Sequence, residues 1–238
     1  MTFWDDFPPQ RMLAEISLWS ADFTRFAAEI ERIDRYADLY HIDVSDGHFV
    51  PGFLFFADLV AALRPLTTKK FHVHLMTTNP IAHVDDFLQA GADLITVHAE
   101  NGPLAPAALQ KIRQCGAAAG LCLGLDVAPA SIVPYLDLVD VVLMMGTPMG
   151  VKGVEPSRHA YQRVGEMRRL VAKAGLAGQV RVIADGGIRK HTVPLLRAAG
   201  ADGVVMGSLA FKSPNLEETF TWVHSLALDP AQVAAAGN

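Results

Sequence analysis

Two patterns of hydrophobic and polar positions alternate along this chain. Eight short apolar runs recur, and segments with an apolar face at helical spacing separate them. Runs such as VDVVLMM and DGVVMG are apolar at almost every position, which is typical of strands buried on both faces. The runs predict eight strands, at Ala14–Trp19, Leu39–Ser45, Lys70–Met76, Leu94–Ala99, Leu121–Val127, Val139–Met145, Arg181–Asp185 and Gly203–Gly207.

The intervening segments predict helices. Two examples are Pro106–Ala118 and Pro156–Ala174, the second opened by a proline that suits a first helical turn. Regular alternation of strands and helices predicts a parallel sheet with right-handed crossovers. Eight such units predict one (β/α)₈ TIM barrel, formed as a single domain over residues 1–238. We expect residues 229–238, which are mostly small, to form a frayed tail.

Composition narrows the choice of ligands and compartments. Hydrophobic residues make up 51% of the 238 residues, which is ample for a large core and argues against disorder. The net charge of −5 and the lack of basic runs argue against nucleic-acid binding. We expect no membrane partner and a cytoplasmic location, because neither an 18-residue apolar stretch nor a signal-peptide pattern is present. An anionic ligand would need local capture by backbone amides or a metal.

Titratable residues cluster where the predicted strands end, which is the catalytic end of a barrel. His41 and Asp43 lie two apart on the second strand and share a face, as do His72 and His74 on the third. Asp185 ends the seventh strand. If these faces point inward, imidazoles and carboxylates from neighbouring strands converge.

The converging groups predict a metal site. A single histidine on an apolar strand is most often a hydrogen-bonded core residue, but burying several titratable groups costs several kcal/mol each unless a counter-charge is present. His41, Asp43, His74 and Asp185 suit one divalent ion, such as zinc, iron, manganese or cobalt. We interpret His72 as supporting these ligands or as structural, and the other histidines as loop, helix or core residues.

Glycines after the last two strands predict a phosphate site. VIADGGI and VVMGS place Gly186, Gly187, Gly207 and Ser208 in the two loops whose backbone amides bind phosphate in many barrels. A third loop, GTPMGVKG, follows the sixth strand and can fold over the same site. Its Lys152 either adds a cation there or is a solvated residue of a mobile lid.

The two aspartates favour an epimerisation. Asp43 and Asp185 approach the centre from strands three steps apart around the ring. One carboxylate can remove a proton next to a carbonyl to give an enediolate, and the other can return a proton to the opposite face. A metal would stabilise the enediolate charge.

The chain resembles the ribulose-phosphate 3-epimerases, an isomerase family of pentulose-phosphate metabolism. The resemblance runs from ISLWSADF through HIDVSDGHFVPGF, FHVHLMTTNP, DGGI and VMGSLA, in the same order over essentially the whole barrel. It implies a (β/α)₈ TIM barrel of the type that binds ribulose phosphates, one divalent metal and interconversion of ribulose 5-phosphate with xylulose 5-phosphate. It also implies that Asp43 and Asp185 are the acid–base pair and, with His41 and His74, the metal ligands. The implied substrate-binding residues are Ser17, His74, Gly150, Gly153, Gly186, Gly187, Gly207 and Ser208, with Met76 and Met145 as an apolar cap.

Two segments depart from the family pattern. Ser45 stands where family members usually carry methionine, and PMGVKGV replaces the usual loop after the sixth strand. Ser45 predicts a wetter pocket or a different sugar.

Ribulose 5-phosphate is the first candidate substrate, followed by another pentulose, hexulose or tetrulose phosphate. A metal-dependent aldolase or decarboxylase, or a non-catalytic sugar-phosphate binder, are the alternatives. We expect a homo-oligomer.

Overall fold

Eight parallel strands form a closed barrel in the computed structural model, which describes residues 2–8 and 11–228. Each strand is hydrogen-bonded to the next in chain order, and β8 pairs with β1 to close the ring. The predicted (β/α)₈ architecture is therefore confirmed. The strands are β1 (Leu13–Ser17), β2 (Leu39–Ser45), β3 (Lys70–Met76), β4 (Leu94–His98), β5 (Ala118–Leu123), β6 (Val141–Met145), β7 (Arg181–Asp185) and β8 (Gly203–Met206).

Helices follow the strands, with one exception. Between β5 and β6 the chain forms a ten-residue 3₁₀ segment, Pro129–Leu138, in place of an α-helix. Pro134 lies inside this segment, where its missing N–H opposes regular α-helical hydrogen bonding. The α-helices are α1 (Phe26–Ile33), α2 (Ala57–Leu63), α3 (Val84–Gln89), α4 (Leu104–Gln114), α5 (Ala160–Lys173), α6 (Val193–Ala198), α7 (Ser208–Phe211) and α8 (Leu216–Ser225).

Several predicted boundaries are wrong by a few residues. Strand β5 begins and ends earlier than predicted, because Ala118, Ala119 and Gly120 pair with β4 although their small side chains give little strand signal. The predicted helix start at Pro156 is also wrong, since α5 begins at Ala160. The amide of Ser157 donates to the Gly146 carbonyl at 2.7 Å, which holds this segment beside the end of β6.

The core lies in two regions, one between barrel and helices and one inside the barrel. At the amino-terminal end, Trp4 packs with Leu13, Leu94 and Val141 from the starts of β1, β4 and β6. Its indole N–H donates to the Asp140 carbonyl at 2.7 Å. The opposite end of the interior is therefore the one left for polar chemistry. The predicted tail, residues 229–238, lies outside the described residues.

No helix within the described residues has both the length and the apolar character needed to cross a membrane.

Candidate active site

Four side chains from three strands meet at the carboxyl end of the barrel. His41 and Asp43 come from β2, His74 from β3 and Asp185 from β7, and one potential ligand atom of each lies within 4.8 Å of all the others. The period of two along β2 turns both of its residues inward. The predicted set of metal ligands is thus brought together by the fold.

The four groups are arranged around the Asp43 carboxylate. Its Oδ1 lies 3.4 Å from both Nε2 of His41 and Nδ1 of His74. Oδ2 of Asp185 lies 3.9 Å from each of the same two nitrogens. The Ser17 hydroxyl donates to Oδ2 of Asp43 at 2.8 Å, which fixes the orientation of that carboxylate. Two imidazoles therefore present nitrogens to a space shared with two carboxylates.

Burial and the neighbouring charges shift the pKa values of the two carboxyl groups in opposite directions. Burial raises the pKa of Asp185 to about 6, the neighbouring imidazoles oppose this rise and the Asp43 charge adds to it. Burial also acts to raise the pKa of Asp43, but the His41 and His74 imidazoles outweigh it and hold that pKa far below its usual range. Two buried carboxylates this close are compatible as anions when a positive charge lies between them. Two imidazole nitrogens and two carboxylates are also a donor set that suits a borderline divalent cation.

A buried carboxylate lies beneath the metal-site residues. Oε2 of Glu15 is 3.0 Å from Nδ1 of His41 and 2.8 Å from Nδ1 of His72. The other His72 nitrogen is 2.7 Å from the Thr96 hydroxyl. Burial opposes ionisation of Glu15, but the two imidazoles lower its pKa to about 2. Glu15 therefore holds His41 with Nε2 directed at Asp43, and His72 reaches the same carboxylate from β3.

Space for this network depends on Gly120 in β5. A Cβ at that position would lie 1.9 Å from the Thr96 hydroxyl, so only glycine leaves Thr96 room beside His72. Sequence reasoning missed Glu15, although a lone acidic residue in the apolar strand LAEIS is a recognisable signal.

His98, at the end of β4, was interpreted only as a loop, helix or core histidine. It is completely buried, as the core interpretation requires, and it lies against His74. Burial lowers the pKa of His98 to about 4, although the nearby Glu100 carboxylate opposes that shift. His98 is therefore neutral near pH 7. Glu100 was also missed by the sequence reasoning.

A cavity of about 510 Å³ opens above these side chains. That volume lies within the range of about 300–1,000 Å³ that is usual for small-molecule sites. Asp43 and Asp185 both line it, and His41 lies deeper, with no exposed surface. The other residues predicted at the site that line it are Ser17, His74, Met76, Met145, Gly150, Lys152, Gly153, Gly186, Gly187, Gly207 and Ser208.

Close packing explains the glycine pair after β7. Gly186 and Gly187 have φ angles of +87° and +70°, in the left-handed region that glycine adopts readily. A Cβ at Gly187 would lie 2.7 Å from the Pro156 nitrogen, and one at Gly186 would lie 2.3 Å from the Thr147 hydroxyl. The pair therefore lets the loop after β6 pack directly on the loop after β7.

Cations not foreseen from the sequence also line the cavity. Arg189 follows the glycine pair and Lys212 follows α7, and both face the same space as Lys152. On a chain with a net charge of −5, these side chains give the local attraction for an anion that the overall charge does not.

The expectation for Ser45 needs revision, whereas Lys152 lies in the cavity lining. Ser45 lies outside the lining of the cavity, and its hydroxyl donates to the Gly52 carbonyl at 3.1 Å, so it does not wet the pocket as predicted. Lys152 lies with Nζ 4.2 Å from the centre of the Trp19 ring and donates to the Trp19 carbonyl. It thus joins the loop after β6 to the segment after β1.

Comparison with known proteins gives sequence relatives over almost the whole chain. The ribulose-phosphate 3 epimerase family matches residues 13–211. Ribulose-phosphate 3-epimerase of Rhodobacter capsulatus is 37% identical over 221 residues, which cover 92% of this chain and 95% of the relative. The ribulose-phosphate 3-epimerase of Synechocystis sp. is 35% identical over 222 residues, which cover 92% of this chain and 95% of that relative.

Solved structures with the same architecture are more distant in sequence. The 3-keto-L-gulonate-6-phosphate decarboxylase of Vibrio cholerae has a TM-score of 0.66 at 17% identity, covering 94% of this chain and 98% of its own. The 3-hexulose-6-phosphate synthase of Salmonella typhimurium has a TM-score of 0.65 at 15% identity, covering 95% and 100%. These similarities show a shared barrel fold.

Proposed function

The chain belongs to the ribulose-phosphate 3-epimerase family, and we propose that it interconverts D-ribulose 5-phosphate and D-xylulose 5-phosphate with Asp43 and Asp185 as its two acid–base groups. Epimerisation of a pentulose phosphate is the activity that its relatives support. The observation that carries the residue assignment is the pair of carboxylates that reach one cavity from β2 and β7. Inversion of a carbon needs proton donors and acceptors on both faces of the sugar.

The proposed reaction uses these two carboxylates in turn. One of them removes the proton from carbon 3, and the electron pair of the broken C–H bond moves toward the carbonyl at carbon 2, giving a planar enediolate. The other carboxyl group delivers a proton to the opposite face of carbon 3, and the carbonyl re-forms. Each carboxyl exchanges roles when the reaction runs in reverse. The Ser17 hydroxyl, which donates to Asp43, keeps that carboxylate aimed into the cavity.

One divalent cation completes the site. His41, Asp43, His74 and Asp185 would hold it, and the candidates are zinc, iron, manganese and cobalt. When bound, the cation supplies electrostatic stabilisation to the developing negative charge on the sugar oxygens.

The phosphate end of the substrate fits the loops after β6, β7 and β8. Gly186, Gly187, Gly207 and Ser208 line the cavity there and would bind the phosphate through backbone amides and the serine hydroxyl, with Arg189 and Lys212 nearby. Gly150 and Gly153 let the loop after β6 close over the same end, since both have positive φ angles, +71° and +81°. Met76 and Met145 supply an apolar surface near the carbon skeleton.

Solvent deuterium tests this function directly. The enzyme, loaded with a defined divalent metal, is incubated in D₂O with ribulose 5-phosphate and, separately, with hexulose and tetrulose phosphates, and products are followed by NMR. We expect xylulose 5-phosphate with one deuterium at carbon 3. Carbon–carbon cleavage products would indicate an aldolase or decarboxylase instead. Faster epimerisation of a hexulose or tetrulose phosphate would keep the reaction but overturn the proposed substrate.

Replacement of Lys152 by alanine is expected to raise KM for the sugar phosphate about tenfold while kcat stays within about twofold. The variant loses a cation–π contact with the Trp19 ring and a hydrogen bond to the Trp19 carbonyl. Together these contacts stabilise the ordered loop after β6 by about 1–2 kcal/mol. Steady-state kinetics give both constants. The control is Lys190→Ala, which removes an exposed positive charge outside the cavity lining. An unchanged KM in Lys152→Ala would show that its contacts with Trp19 do not contribute to substrate binding.

A further inference from the structure

A continuous chain of hydrogen bonds runs from the metal-site residue His74 away from the cavity. Nε2 of His74 lies 2.8 Å from Nε2 of His98. Nδ1 of His98 lies 3.3 Å from Oε2 of Glu100. The other Glu100 oxygen, Oε1, accepts from the backbone N–H of Gly124 at 2.8 Å. The chain thus begins at a metal-facing imidazole and ends at the main chain just after β5.

The chemistry of each group fixes the direction of these hydrogen bonds. A backbone N–H can only donate, and both oxygens of an ionised carboxylate can only accept. Nδ1 of His98 must therefore carry the proton that faces Glu100, which leaves Nε2 of a neutral His98 as an acceptor. His74 must then donate from its Nε2. The remaining His74 nitrogen, Nδ1, presents its lone pair toward Asp43 and Asp185.

We propose that Glu100 and His98 are positioning residues that hold His74 in its Nε2–H tautomer and so keep Nδ1 available to the divalent cation. This assignment rests on the proposed function of the site. A histidine ligand whose other nitrogen donates to a fixed acceptor is oriented and made more basic, and loss of such a partner typically weakens metal binding about 10- to 100-fold.

Packing holds the two imidazoles of the relay in place. His74 and His98 are completely buried, and their ring centres lie 4.9 Å apart with 24° between the planes, so the rings meet edge to edge at the two Nε2 atoms. The Phe49 ring lies 4.9 Å from the His98 ring on another side. The backbone N–H of His98 donates to Asn101 at 3.2 Å, which anchors the start of the turn that carries Glu100. The buried rings are therefore held in place by protein contacts.

A separate metal site at these residues is the competing interpretation. His74, His98 and Cys122 do bring potential ligand atoms within 4.8 Å of one another. Two nitrogens bound to the same tetrahedral ion would lie about 3.3 Å apart, given metal–nitrogen bonds of about 2.0–2.1 Å. The observed separation of 2.8 Å between the two Nε2 atoms is that of a direct hydrogen bond. The pair is thus a relay between side chains.

The two metal-facing histidines are supported differently. His41 contacts the Glu15 carboxylate directly, at 3.0 Å from its Nδ1. His74 reaches its carboxylate through a second imidazole, which makes its tautomer depend on His98 and on a residue two positions later. Glutamate suits the end of this relay because it accepts twice, from Gly124 and from His98, whereas a glutamine amide has one acceptor atom and one donor atom.

The variant Glu100→Gln tests this requirement with little change in shape. If its amide oxygen accepts from Gly124, its NH₂ group faces His98 and reverses the relay. If the amide group is rotated by 180°, its NH₂ group faces the Gly124 N–H instead, and two donors oppose each other. We expect the Kd for Co²⁺, measured by chelator competition in the absence of substrate, to rise about 10- to 100-fold. The absorption bands of the bound Co²⁺ should also change. A Kd within about twofold of the wild type would overturn the proposal.

Three further measurements separate positioning from a general loss of structure. Glu155→Gln makes the same chemical change at an exposed residue and should leave the Kd unchanged. His98→Gln retains one donor and one acceptor, so it should bind Co²⁺ more tightly than His98→Leu, and equal affinities of the two variants would contradict the relay. Nitrogen-15 NMR of the wild-type imidazoles with diamagnetic Zn²⁺ bound, which needs no variant, should show His74 protonated at Nε2 and His98 at Nδ1. The opposite tautomers would overturn the proposal.

Failure of the proposed function is recognised independently of these outcomes. The Co²⁺ and NMR measurements use the full chain without substrate, so they report on the relay whichever sugar phosphate is converted. Wild-type protein that binds Co²⁺ but epimerises no ketose phosphate would refute the function and leave the relay standing.

Discussion

Asparagine at position 43 or 185 is expected to lower kcat for epimerisation at least about 10³-fold. Each substitution removes a proton-transfer group, worth about 10²- to 10⁴-fold, and weakens the cation site as well. The side-chain shape is retained, and both residues line the cavity from different strands. Steady-state assays with saturating sugar phosphate and added metal measure the effect.

The two variants should also differ in the epimer that they affect. Each retains one carboxylate, so each can still exchange the carbon-3 proton of one epimer with D₂O. We expect Asp43→Asn and Asp185→Asn to retain exchange in opposite epimers. Asp126→Asn makes the same chemical change in an exposed loop outside the cavity lining and should keep wild-type rates. Near wild-type kcat in either site variant, or retained exchange in the same epimer for both, would contradict the two-base assignment.

Removal of the divalent metal with a chelator is expected to abolish epimerisation, with a loss of at least about 10³-fold that added metal restores. The loss arises because the negative charge of the enediolate then lacks its cationic partner in a buried cavity. The measurement is the rate before chelation, after chelation and after re-addition of zinc, iron, manganese or cobalt, with metal content determined on the same samples.

The secondary structure of the metal-free protein must be measured in the same experiment. Circular dichroism should show that the barrel persists without metal, because the hydrophobic core surrounds the strands independently of the site. His41→Ala is the matched variant, because it lacks one proposed metal ligand below the cavity. Added metal should restore less of its activity than that of the wild type. Undiminished epimerisation by protein shown to be metal-free would refute the cation's role.

Much of the fold could be predicted from the order of apolar runs. Strands β2, β3 and β7 have the predicted bounds, and each contains β-branched residues, such as Val44, Val73 and Val182, that favour strands. The register of β5 could not be predicted, because its first residues, Ala118 to Gly120, are small and their pairing depends on the neighbouring β4. The start of α5 was mispredicted because a tertiary contact, from Ser157 to Gly146, overrides the local preference of a proline for a first helical turn.

The inward side chains of the site were equally accessible to sequence reasoning. Alternation along β2 and β3 places His41, Asp43 and His74 on interior faces, and the end of β7 places Asp185 beside them. The supporting residues were not accessible in this way. Glu15 reaches His41 because β1 pairs with β2 in one particular register, in which Ser17 lies opposite His41.

The sequence alone determined the number of barrel units, the strands that carry the chemistry and the residue types at their ends. These properties follow from the period of two in strands and from the burial of apolar runs, which are local along the chain. Only the tertiary structure decided that Glu15 supports His41, that His98 and Glu100 support His74, and that Lys152 joins Trp19. Those contacts depend on closure of the ring and on the stagger between strands, which bring together residues far apart in the chain through packing of the whole barrel.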